Sequence, residues 1–165
     1  QIQAVAALMP GLPRAPGGET AVGDALTDIA DAAEIIRRDY AGRTVLLVED
    51  EMINREVALA MLDEVGLVVD VAEDGEFAVE MVSRNDYDLI LMDMQMPRMD
   101  GLTATRRIRE LPGKALMPIV AVTANAFAED KARCIEAGMS DFIAKPVDPL
   151  ALYAVVLRGL AGAGR

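Results

Sequence analysis

The sequence contains no histidine and no tryptophan, and only one cysteine, Cys134. Without histidine the chain can carry no Ser-His-Asp or Cys-His nucleophilic pair, no His-ligated zinc and no phosphohistidine of its own. Its chemistry falls to carboxylates, hydroxyls and lysine. One cysteine excludes an internal disulfide and fits a reducing, cytoplasmic compartment. Cys134 lies in a stretch of helical period, where a small half-buried hydrophobe is a better reading than a reactive thiol. Aromatics amount to 4%, so the core has to be aliphatic and filled with methionine. No apolar run reaches the roughly 18 residues of a membrane span. QIQAVAALM at the start lacks the basic flank of a signal peptide. A parent protein could still be membrane-anchored elsewhere. Positive charge is scarce too. A formal net charge of −11 repels phosphate backbones and anionic lipid, which argues against direct contact with nucleic acid or membrane.

What is present is ample for a core: 165 residues, 53% of them hydrophobic, enough for one domain and an appendage. The chain opens on Gln rather than Met and reads as a piece of something longer. PGLPRAPGG at 10–18, with three Pro and three Gly, reads as a linker. Beyond it, Leu26, Ile29, Ala30, Ala33 and Ile36 keep helical spacing, with Asp24 and Asp28 early and Arg37 and Arg38 late. This spacing predicts a helix over 25–38. It can serve as a tether, pack on the main domain, or pack on a second copy as a homodimer contact. From residue 43 the pattern becomes regular. Apolar runs at 45–48, 67–71, 89–92, 119–122 and 142–144 alternate with helical stretches near 52–65, 75–84, 102–110, 128–137 and 149–159. Five strand–helix units imply a doubly wound α/β fold, a parallel sheet with helices on both faces. The expected division is 1–42 as linker and helix joining to a preceding domain, 43–160 as the main domain and 161–165 as a tail.

Each strand but the second stops at a residue with chemistry. Glu49 and Asp50 follow VLLV, Asp93 follows LILM, Thr123 follows PIVAV, and Lys145 and Pro146 follow DFIA. In an open parallel sheet the carboxyl ends of the strands form one ligand-binding edge. Any one of these residues alone reads as a turn or helix cap. Five at the ends of four strands read as a site. Two carboxylates about 5 Å apart repel by roughly 3 kcal/mol at an effective dielectric near 20. Three need compensation, which Lys145 supplies in part and a hard divalent cation in the rest. Oxygen donors without His or Cys select Mg²⁺, or Mn²⁺, over zinc. Magnesium keeps waters and bridges to phosphate, so a phosphoryl group is the natural substrate. Asp93 is then the nucleophile that becomes an aspartyl phosphate, with Thr123 and Lys145 holding the phosphoryl oxygens.

VLLVEDEMINREVA, LILMDMQMPRMDG, VAVTANA and DFIAKPVD resemble the marks of a response-regulator receiver domain of two-component signalling, over about residues 43–160. INREVALAML and the stretch from MPIVAVTANA to DFIAKP are similar to receivers fused to hybrid sensor histidine kinases. The resemblance implies a flavodoxin-like sheet in the order 2-1-3-4-5. It makes Asp93 the phosphoacceptor, Asp50 a direct Mg²⁺ ligand, Glu49 an acid reaching the metal through water, and Gln95 a ligand through its backbone carbonyl. Thr123 becomes the switch hydroxyl, Phe142 the ring that turns inward after phosphorylation, and Lys145 the partner of the phosphoryl group. Lys145–Pro146 is expected to be cis. Met94, Gln95 and Asn125 flank the phosphoryl group and would tune its lifetime. Phosphorylation is expected to repack the face of the fourth helix, fifth strand and fifth helix of the repeat. Two departures stand out: Glu-Asp where many members have Asp-Asp, and Phe142 where Tyr is common. The implied partners are a histidine kinase domain, in cis or in trans, and a histidine phosphotransfer protein. Such a module catalyses only its own phosphorylation and dephosphorylation.

Two other functions compete. A haloacid dehalogenase-like phosphatase also uses a strand-end Asp, Mg²⁺, Thr and Lys. It needs a second Asp two residues after the nucleophile, where Gln95 stands, and its acidic metal pair comes late rather than first. A DNA-binding regulator would need an output domain, and no helix-turn-helix is present. The cluster Met92, Met94, Met96 and Met99 reads as core filling rather than a sensing box.

Overall fold

The runs VLLV, LILM and IVAV become the centre of a parallel sheet. The computed structural model describes residues 32–96, 99–124 and 128–163. The linker at 10–18, the first part of the helix at 25–38, and Asn125 lie outside them. After a helical segment at residues 32–39 (α1) come β1 (Thr44–Val48), α2 (Met52–Glu64), β2 (Val68–Ala72), α3 (Gly75–Arg84) and β3 (Leu89–Asp93). Then follow α4 (Gly101–Glu110), β4 (Ile119–Thr123), α5 (Ala128–Ala137), β5 (Asp141–Ala144) and α6 (Pro149–Ala163). The strands pair in the order β2-β1-β3-β4-β5, all parallel, with register fixed by Val45 opposite Leu89 and Ile90 opposite Ile119.

Burial follows position. Every residue of β3 and β4 is buried, whereas the edge strands β2 (VVDVA) and β5 (DFIA) keep exposed or half-exposed members. Side chains alternate across the pleat and so build two cores. Val45, Leu47, Leu89, Leu91, Val120 and Val122 meet α1, α2 and α6. Leu46, Val48, Ile90, Met92, Ile119 and Ala121 meet α3, α4 and α5. Acidic caps start the helices. Asp74 accepts from Phe77 N at 2.8 Å, Asp100 from Thr103 N at 2.8 Å and Glu51 from Asn54 N at 2.9 Å. Each satisfies an otherwise orphaned amide.

Two boundaries differ from the sequence reading. Helix α6 runs to Ala163, into residues expected to form a tail. Within it, a Cβ at Gly159 would stand 2.5 Å from Leu89 Cδ1. The glycine lets α6 lie close on β3. In α1, Ala32, Ala33 and Ile36 are 5%, 8% and 0% exposed and join the core against α2 and α6. Of the three fates open to this helix, packing on its own domain is the one these residues adopt.

Candidate functional site

The carboxyl ends of β1, β3, β4 and β5 bring Glu49, Asp50, Asp93, Thr123 and Lys145 to one edge of the sheet. Asp93 closes β3 and is 2% exposed. Its Oδ1 accepts from Lys145 Nζ at 3.0 Å and from the backbone N–H of Gln95 at 3.2 Å. Its Oδ2 is buried and has no hydrogen-bond partner among the described residues. Lys145 Nζ also stands 3.6 Å from Glu49 Oε1, so one ammonium serves two carboxyls. Glu49 Oε2 accepts from the N–H of Glu51 at 3.2 Å, and its carbonyl accepts from Arg55 at 3.3 Å, tying the end of β1 to α2.

Burial first, and then the neighbouring Asp93 carboxylate, push the Glu49 carboxyl up to about 7. Burial works against the Lys145 ammonium, but Asp93 and then Glu49 outweigh it and hold its pKa above the ordinary lysine value. Leu47, Val57, Leu91, Val122 and Leu152 line an apolar cavity of about 180 Å³ behind Glu49 and Lys145, which accounts for the desolvation on this side. Asp50 is exposed at the mouth. Carboxylate oxygens of Glu49, Asp50 and Asp93 all lie within 4.8 Å of one another. An all-oxygen donor set with an unpartnered buried Asp93 Oδ2 fits a hard divalent cation.

The remaining expected residues fall around this centre. Thr123 ends β4 and is 9% exposed. Met94 and Gln95 follow Asp93 and, with Thr123, line a second cavity of about 190 Å³ under α4 and α5. Phe142 lies half-buried on β5. The Lys145–Pro146 bond is cis. Met92 is fully buried and Met94, Met96 and Met99 pack on the same core, as core filling predicts. Cys134 is buried in that core as well. Sequence reading missed Gly101. A Cβ there would meet the Asp93 carbonyl at 2.5 Å and Met94 Cα at 3.0 Å, so α4 starts hard against the backbone of the central acid. The Asp-Gly step was visible, but only the packing gives it this meaning. It also missed Lys131, whose ammonium faces the Phe142 ring.

A doubly wound parallel sheet with acids, a hydroxyl and a lysine gathered at its carboxyl edge defines the class of receiver-like α/β proteins. The family model for the response regulator receiver domain matches residues 45–157, and the chain belongs to that family. Among curated relatives it is 40% identical over 121 residues to the signal transduction histidine-protein kinase BarA of Escherichia coli K12. That match takes in 73% of this chain and 13% of BarA, so the chain spans only a small part of that relative. The receiver domain of sensor histidine kinase PA1611 of Pseudomonas aeruginosa is 42% identical, with TM-score 0.69 over 73% of this chain and 99% of that one. It was crystallised with a magnesium ion coordinated in its active-site cleft. The receiver domain of Ssk1 of Saccharomyces cerevisiae, co-crystallised with the histidine phosphotransfer protein Ypd1, matches with TM-score 0.63 and 29% identity, over 68% of this chain and 84% of that one. Among the described residues no helix is long and apolar enough to cross a membrane.

Proposed function

We propose that this chain is a phosphorelay receiver that accepts a phosphoryl group from a phosphohistidine onto Asp93. The observation that carries the reading is the Asp93 carboxylate itself. It sits at the end of a buried strand, one oxygen anchored by Lys145 and Gln95 N–H, the other buried without a partner among the described residues. A carboxylate so held is aimed before substrate arrives, which is what positioning contributes to rate. A carboxylate oxygen of Asp93 attacks phosphorus, the P–N bond breaks, and the imidazole nitrogen leaves with the electron pair. Asp50 and Asp93 would hold Mg²⁺ directly, Glu49 through water and Gln95 through its backbone carbonyl. When bound, the ion supplies a second positive charge beside Lys145 for the phosphoryl oxygens.

Lys145 and Thr123 then give charge-assisted hydrogen bonds to the new phosphoryl group. Phe142 turns inward, and the face of α5, β5 and α6 repacks. Met94, Gln95 and Asn125 flank the group and tune its lifetime. The donor is a histidine kinase domain, in cis or in trans, and a histidine phosphotransfer protein is a second partner. Met52, Ile53 and Val57, exposed at 59%, 69% and 46% along the first turns of α2, form an apolar rim beside the crevice that favours a protein partner. The likeness to BarA favours origin in a hybrid kinase. With Mg²⁺ and acetyl phosphate, intact-mass analysis should show one acid-stable, base-labile phosphoryl group on the wild type and none on Asp93→Asn. Labelling that persists in the variant would mean another residue is the acceptor.

A further inference from the structure

We propose that Lys131 is a latch that holds the Phe142 ring on its outer station and so sets how readily this receiver switches. The inference rests on the reading of Phe142 as the switch ring. Phe142 pairs with Ala121 of β4, two residues before Thr123 pairs with Ala144. Residues two apart on a strand share a face, so the ring and the Thr123 hydroxyl lie on the same side of the sheet. The ring is half-buried at the edge of the α3–α5 core. Over it, from α5, stands the Lys131 ammonium, 4.5 Å from the ring centroid. That is within reach of cation–π attraction, the pull of the negative ring face on a cation.

A second station is built into the same side of the sheet. A cavity of about 190 Å³, lined by Gln95, Asp100, Leu102, Thr123, Arg133 and Cys134, adjoins Thr123, and a ring turned toward Thr123 would approach it. Phenylalanine has no hydroxyl, so its ring face is the one electrostatic handle by which either station can hold it. A ring moved toward Thr123 leaves the ammonium behind, and a contact made in one state only shifts the equilibrium by its full strength. A partly exposed cation–π contact corresponds to about a two- to five-fold change in population.

The test uses the full 165-residue chain labelled with fluorophenylalanine. The Phe142 resonance is assigned by its loss in Phe142→Leu, and ring exposure is read from relaxation by a soluble gadolinium chelate. Lys131→Met removes the charge and keeps the chain length; Lys131→Arg keeps the charge. In magnesium buffer without phosphodonor, the inward-to-outward ratio should rise about two- to five-fold in Lys131→Met and stay at the wild-type value in Lys131→Arg. The beryllium fluoride concentration giving half conversion should fall by the same factor. An unmoved ratio in Lys131→Met, an equal displacement in Lys131→Arg, or an unchanged half-conversion point overturns the latch. Acetyl phosphate labelling of Asp93, run in parallel, judges the phosphoacceptor reading separately. Labelling with an unmoved ratio sinks the latch alone; absent labelling sinks the acceptor, while the ratio in phosphodonor-free buffer still decides on the latch.

Discussion

The two oxygens of Asp93 live in different worlds: among the described residues one takes two hydrogen bonds, the other is buried with none. An unsatisfied buried acceptor costs about 1–3 kcal/mol, a cost that a cation would remove. Beside it, Glu49 answers the same crowding by retaining its proton. Its carboxyl is raised from 4.5 to about 7, chiefly by burial and then by Asp93. The folded chain therefore holds a proton at pH values where the unfolded chain has released it. The stability contributed by Glu49 is complete below its unfolded pKa and fades as pH rises through about 7. Asp39 and Asp86, held low by Arg38 and Lys114, titrate at more acidic pH and do not blur this window. Urea melts of the metal-free chain should show stability falling as pH rises through about 7, and Glu49→Gln should flatten that slope. An equal slope in the variant would contradict the assignment. The affinity for Mg²⁺ should climb through the same window, since proton and cation compete for one carboxyl.

At the scale of elements, the site depends on strands that end on time and helices that begin on time. Glu51 and Asp74 each cap a helix within three residues of a strand end, and Asp100 caps α4. Gly101 lets α4 begin in contact with the Asp93 carbonyl. The helical stretches near 52, 75 and 102 were legible in the sequence as a change of period, whereas the caps Glu51, Asp74 and Asp100 and the close approach at Gly101 were not. The packing of α1 was not legible either. Its apolar spacing fits a tether, a dimer contact or a core helix equally well, and only the burial of Ile36 against α2 and α6 separates them. Helix α6 continues past the expected stretch near 149–159 to Ala163, and the role of Gly159, whose missing side chain admits Leu89, exists only in three dimensions. Ile36→Ala should lower stability by about 2–4 kcal/mol in urea unfolding, the range for a fully buried large-to-small change. A loss below about 0.5 kcal/mol would return α1 to the status of a surface tether.

For the molecule as a whole, one sheet order does the assembling. With β1 between β2 and β3, and β4 and β5 beyond, residues as distant in sequence as Glu49 and Lys145 come within 3.6 Å. The alternation of strand and helix pointed to a parallel sheet, the family resemblance implied its order, and the polar residues closing every strand but the second marked the candidate site. None of these exposes the way Lys131 meets Phe142, because that contact depends on how α5 lies on β5 rather than on any local pattern. A net charge of −11 adds a constraint on the partner: any docking surface has to tolerate a strongly acidic neighbour. The central claim is that acids from β1 and β3 converge so that Asp93 can carry phosphorus. The most direct test is phosphoryl transfer from a phosphohistidine donor, followed with radiolabelled phosphate in the presence and absence of a chelator. Label should pass to the wild-type chain only with Mg²⁺ and never to Asp93→Asn, whereas label on the variant, or transfer indifferent to the chelator, would contradict the account.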